Sequence, residues 1–177
     1  MVHIAVAIGS NINREQNIER ALDALSDAFG ELAISCIYQS AARNADENNG
    51  PLTDYYNLVV CFESASSIAA LKYQLKAIEQ AAYRQRNVPE VSLDLDLLLY
   101  DNYIGQTAEV TLPHPDIEHC DYVLKPLSEL MPESEHPQLK QSYRHLWMHY
   151  SGETDLRPVD FIWRNQLIST AVSAPMV

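Results

Sequence analysis

The chain has 177 residues, 47% of them apolar and 8% aromatic, and a formal net charge of −12 from 24 Asp and Glu against 12 Lys and Arg. That length and composition suit a single globular domain with a sizeable core and exclude a chain disordered throughout. The negative field opposes a general nucleic-acid or anionic-membrane surface, and three widely spaced cysteines, Cys36, Cys61 and Cys120, fit free thiols in a reducing compartment.

Residues 3–9 are apolar and end at Gly9, which predicts a buried first strand. This run is too short for a signal peptide and no stretch approaches the ~18 apolar residues of a membrane span, so a cytoplasmic protein is expected. Asn13 and Gln16 resemble a capping box; Ile18, Ala21, Leu22, Leu25 and Phe29 then recur at helical spacing until Gly30 stops the helix. Leu32, Ile34, Cys36 and Tyr38 alternate as one strand, and residues 55–63 form another after a polar loop. Ser66 or Ser67 caps a second helix with the stripe Ile68, Leu71, Leu75, Ile78 and Ala82. The strand "SLDLDLLLY" (92–100) follows.

The order strand, helix, strand, strand, helix, strand is the split βαβ pattern of an α+β, ferredoxin-like fold, an antiparallel sheet with helices packed on one face. Beyond it the sequence predicts a short strand at 110–112, a helix over 120–131 closed by Pro132, a helix over 138–150, and a loosely docked tail in the last 25 or so residues. The whole reads as one domain, 1–177, with a core at 1–133 and a helix and divergent tail at 134–177.

Asp94 and Asp96 stand two apart in a run of leucines, so in a strand both point to one face, roughly 7 Å apart. Held that close they repel one another. Either the face is simply wet, or the pair clamps a hard cation such as Mg²⁺ together with substrate phosphates. Arg84 and Arg86 end the helix just before this strand, and Arg suits bidentate phosphate recognition. His114 lies between two prolines; with His119 and Cys120 it lacks a fourth ligand at any standard zinc spacing. "DYYN" (54–57) offers rings for stacking and an amide for edge hydrogen bonds, as a planar heterocycle requires.

Taken in order, "AIGSN" (7–11), "DYYN" (54–57), "IEQAAYRQR" (78–86), "LDLDLLLY" (93–100), "LPHPD" (112–116) and "DYVLKPLSELMPE" (121–133) resemble the 6-hydroxymethyl-7,8-dihydropterin pyrophosphokinases of folate synthesis. The resemblance spans residues 1–133. It implies transfer of the pyrophosphoryl group of ATP to the pterin hydroxymethyl with two Mg²⁺. The expected partners are these small molecules, with no nucleic acid and no membrane given the negative charge, and the chain is expected to be a monomer. By position the resemblance implies Asp94 and Asp96 as metal ligands and, with Arg84, the catalytic set. Glu79, Arg84, Arg86 and His114 would line the ATP site, and Tyr55, Asn57 and Tyr122 the pterin site. Two departures stand out. Val91 and Cys120 occupy positions where the family carries arginines, and the loop "NVPEVS" is short and has no Trp. A catalytically degenerate relative that binds pterin or nucleotide as a regulatory module is the alternative these departures allow.

Overall fold

The computed structural model describes residues 1–41, 54–84, 93–107 and 109–171. A six-stranded antiparallel sheet runs in the order β5-β1-β4-β3-β8, with β2 also on β4. Its strands are β1 (Val2–Ser10), β2 (Ala33–Ile34), β3 (Tyr38–Ser40), β4 (Tyr55–Ser64), β5 (Asp94–Tyr100) and β8 (Arg157–Pro158). Helices α1 (Arg14–Phe29) and α2 (Ile68–Arg84) pack on one face, closing a core around Ile4, Val6, Ile8, Leu22, Leu58, Leu71 and Leu97. This is the expected ferredoxin-like arrangement. The opposite face, predicted to carry no helices, has a second layer. Helices α3 (Asp116–His119), α4 (Asp121–Leu130) and α5 (Tyr143–Met148) follow a hairpin of β6 (Gly105–Gln106) and β7 (Thr111–Leu112), and Val123, Leu124, Leu127 and Tyr143 cover Ala5, Val59 and Leu98.

Several local expectations change. Asn13 has φ 41° and its side chain makes no cap hydrogen bond, so the capping box does not form; Gly30, at φ 86°, does end α1, and its N–H donates to Ser26 O. At α2 it is Ser67 that caps, its Oγ accepting from Ala70 N at 3.3 Å. The helix predicted over 138–150 starts only at Tyr143. Lys140 is left-handed, and Ser142 caps the helix by accepting from His145 N.

The strand predicted through residues 32–38 is two pieces. Ile34 pairs with Val60 and Tyr38 with Asn57, so residues 35–37 lie opposite only 58 and 59. This is a β-bulge, in which Ser35 Oγ accepts from Val59 N at 3.0 Å. One extra residue reverses the facing of everything after it. Ile34 packs against the α1/α2 core and so does Ile37, which leaves Tyr38 and Ser40 on the other face.

The bulge also receives the C-terminal segment, which is docked, contrary to expectation. Ile37 N donates to Ser169 Oγ (2.9 Å), and Val159 N donates to Ile37 O. Beyond β8, the hairpin of β9 (Phe161–Trp163) and β10 (Gln166–Ser169) buries Phe161, while Trp163 Nε1 and Arg164 Nε both donate to Asp23 of α1. Phe161→Ala should therefore cost about 3 kcal/mol, as for other buried Phe truncations. Chemical denaturation that finds no loss of stability would show the tail to be loose. Among the described residues no helix is long and apolar enough to cross a membrane.

Candidate active site

The register of the three central strands builds the site. Gly9 of β1 lies between Asn57 of β4 and Asp94 of β5, and Ala7 lies between Val59 and Asp96. Opposed residues of an antiparallel pair share a face, so the amide and both carboxylates project from the side opposite α1 and α2. Gly9 and Ala7 form a low floor between them. The α4 layer covers this face only as far as Leu98 and Val59. Beyond it a cavity of about 300 Å³ opens, bounded by Ser40, Tyr55, Asn57, Asp94, Asp96 and Tyr122 as well as by the floor.

Asp96 also borders a second cavity, of about 370 Å³, with Lys72 of α2, Thr111 and His114. His114 is fastened there by its backbone, whose N–H donates to Leu98 O (2.9 Å), just after the cis Leu112–Pro113 peptide. Its ring Nδ1 accepts from Asp116 N at 3.3 Å.

Glu79 ties α2 to the carboxylate strand. One carboxylate oxygen accepts from Leu95 N (2.9 Å) and the other pairs with Lys76 Nζ (2.7 Å). The Asp94 carboxyl is pushed up to about 6, first by partial desolvation, then by the charges of Asp96 and Glu79, with Lys76 opposing. Asp94 as a whole residue is exposed, yet its acid group meets two other acids. Such a site attracts a cation.

A folded-state value above the ordinary 3.8 means that the folded chain holds this proton more tightly than the unfolded one. Stability of the cation-free protein should therefore fall as pH rises from about 4 to about 6. Asp94→Asn should flatten that slope in thermal unfolding across pH, and an unchanged slope would discount the mutual repulsion.

Of the nine residues that the sequence singles out, Tyr55, Asn57, Tyr122, Asp94 and Asp96 meet in the first cavity, and His114 joins Asp96 at the second. Glu79 holds the strand beside them. Arg84 ends α2; Arg86, Val91 and the loop before the aspartates lie outside the described residues. Lys72 and Ser40 are additional wall residues. Lys72 stands four residues before Lys76 and seven before Glu79, on one face of α2, whereas Ser40 carries no such signal in the sequence.

The family model for 7,8-dihydro-6-hydroxymethylpterin-pyrophosphokinase matches residues 5–132. The chain belongs to the hydroxymethylpterin pyrophosphokinase family. It is 33% identical over 135 residues to the Haemophilus influenzae 2-amino-4-hydroxy-6-hydroxymethyldihydropteridine pyrophosphokinase, covering 73% of this chain and 82% of that one. The Aquifex aeolicus pyrophosphokinase is 27% identical over 161 residues, covering 89% of this chain and 96% of its own. A match of that length reaches into residues 134–177, beyond the resemblance read from the sequence. Wild-type Plasmodium falciparum HPPK-DHPS shares the pyrophosphokinase fold, with a TM-score of 0.70 at 13% identity, over 91% of this chain and 48% of that one. The chain thus spans about half the length of that solved structure.

Proposed function

We propose that this chain is a monomeric, cytoplasmic enzyme that transfers the pyrophosphoryl group of ATP to the hydroxymethyl group of 6-hydroxymethyl-7,8-dihydropterin. Family membership supports the reaction, and one observation in the structure carries its assignment to this site. Asp96 is a shared wall of two cavities. One offers aromatic rings and an amide, suited to a flat heterocycle. The other offers a lysine and a histidine, suited to phosphate. A donor and an acceptor bound on the two sides would meet at the carboxylates.

The donor set fits a hard cation. Two acids repel one another there, and among the described residues no group of three His, Cys, Asp or Glu could hold a metal alone, so phosphate oxygens or water would complete its ligands. Two Mg²⁺ held by Asp94 and Asp96 would supply neutralisation of the phosphate charge. The protein's own task is positioning, which dominates phosphoryl-transfer catalysis. Tyr55 and Tyr122 stack the ring, Asn57 reads its edge, Lys72, Arg84, Arg86 and His114 orient the triphosphate, and Glu79 keeps β5 in place.

Truncating Tyr55 or Tyr122 to Ala should weaken pterin binding by about 1–3 kcal/mol, and Asn57→Ala by about as much through an unpaired polar edge. Calorimetry with 6-hydroxymethylpterin checks this; affinity insensitive to all three changes would put the pocket elsewhere. A coupled assay of AMP release from ATP, Mg²⁺ and the dihydropterin tests the reaction. Binding of both substrates with no AMP formed would favour the degenerate relative instead.

A further inference from the structure

We infer that Tyr38 and Glu129 are positioning residues that act through Tyr122: the bond between them sets how α4 lies over β3, and so where the Tyr122 ring stands in the first cavity. The inference rests on the reading of that cavity as a pterin pocket. Tyr38 is 5% exposed, and its hydroxyl donates to Glu129 Oε1. Lys125 Nζ pairs with the same oxygen at 3.2 Å, which makes the bond charge-assisted. Burial first, and then the bond to Glu129, raise the Tyr38 phenol above its ordinary 10.0, so the hydroxyl keeps its proton and donates.

Helix α4 does not fix the place of this ring by itself. Pro126 stands inside the helix. Having no N–H, it cannot donate to the Tyr122 carbonyl four residues earlier, and its ring crowds that carbonyl. The turn that carries Tyr122 therefore lacks one helical hydrogen bond. A helix of 10 residues draws its stability mainly from tertiary contacts, and the bond to Tyr38 is such a contact. Glu129 follows Tyr122 by seven residues, two helical turns, so both lie on the same side of α4. The ring stands near one end of a short rod and the latch near the other.

The anchor at the sheet is firm. Tyr38 is paired on both edges of its strand, with Asn57 of β4 and with Pro158 of β8. Because its direct partner is Asn57, the latch refers the ring on α4 to the strand that supplies the cavity's amide and its other ring, Tyr55. Two rings that enclose a flat ligand must keep a fixed separation, and Tyr55 and Tyr122 come from different layers of the fold. The Tyr38–Glu129 bond spans those layers.

The test measures binding of 6-hydroxymethylpterin to the full chain by calorimetry, beside binding of a non-hydrolysable ATP analogue with Mg²⁺. Tyr38→Phe keeps the buried ring and removes the hydroxyl. It should weaken pterin binding by about tenfold, the scale of one charge-assisted hydrogen bond, and leave nucleotide affinity unchanged. Glu129→Ala should match it, whereas Glu129→Gln, which keeps an oxygen acceptor, should retain most of the affinity. Should Tyr38→Phe unfold, Glu129→Ala, at an exposed residue, carries the same test. The deciding measurement repeats the change in a Tyr122→Ala background, where it should cost no further pterin affinity because residues that act as a unit are not additive. A role confined to packing would lower the melting temperature without weakening pterin binding. That result, a loss as large in Tyr122→Ala as in wild type, or nucleotide affinity falling in step would overturn the inference alone. Wild-type chain that binds no pterin would overturn the pterin reading with it.

Discussion

Replacing either Asp94 or Asp96 with Asn should abolish Mg²⁺-dependent nucleotide binding and lower turnover by at least ~100-fold, the scale of losing one pre-organised electrostatic group at a reacting centre. The fold should survive. Neither carboxylate packs in the core, since both project over the Gly9 and Ala7 floor, and the leucines that alternate with them do the packing. Without a cation, Asp94→Asn should melt no lower than wild type at neutral pH, because it relieves the repulsion that raises the Asp94 carboxyl. Calorimetry with a non-hydrolysable ATP analogue, with and without Mg²⁺, checks the binding, and thermal unfolding checks the fold. MgATP affinity unchanged in both variants would remove the metal assignment.

The second expectation is a slow enzyme that arginine can repair. An Arg meeting the charge that develops in phosphoryl transfer is worth on the order of 10³ to 10⁵ in rate, and this chain has Val91 and Cys120 where the resemblance calls for two. Nearby cations do not obviously replace the second. Lys125 is paired with Glu129 at 3.2 Å and lies over the Trp147 ring, and His119 borders a separate cavity with His149 and Tyr150. Turnover should fall well below the roughly 10 s⁻¹ of a median enzyme. Nucleotide affinity should be less affected, as when a contact made mainly in the transition state is lost. Val91→Arg should raise kcat by about tenfold or more, with a larger gain when combined with Cys120→Arg. Wild-type turnover at or above the median would show that other groups do this work.

Much of the site was legible because its signals are local. Period-3.6 stripes marked α1 and α2, Gly30 marked the end of α1, and two acids spaced for one strand face announced Asp94 and Asp96. Tyr55 and Asn57 opened the β4 strand in plain view. A capping box at Asn13 was also a local reading, and it failed because the backbone there turns left-handed, a conformation that Asn tolerates better than most residues and that takes its side chain out of capping position.

What the sequence by itself determined, then, was the order of the elements, their apolar faces and the chemical types gathered for the site. Tertiary structure alone decided which side chains share a cavity. Gly9 became a floor only once Asn57 and Asp94 were registered on either side of it, and Lys72 became a wall residue only once α2 was tied to β5 through Glu79. The bulge after Ile34 illustrates the physical reason. Alternation along residues 32–38 predicts a single strand, but β4 and the docked C-terminal segment each hold a different part of it, Ser35 N donating to Val59 O and Ile37 N to Ser169 Oγ. These chain-distant hydrogen bonds flank the extra residue that turns Tyr38 and Ser40 to the cavity. Periodicity within one segment reports what that segment can bury; register is a property of two segments at once, and a shift of one residue reverses every side chain beyond it.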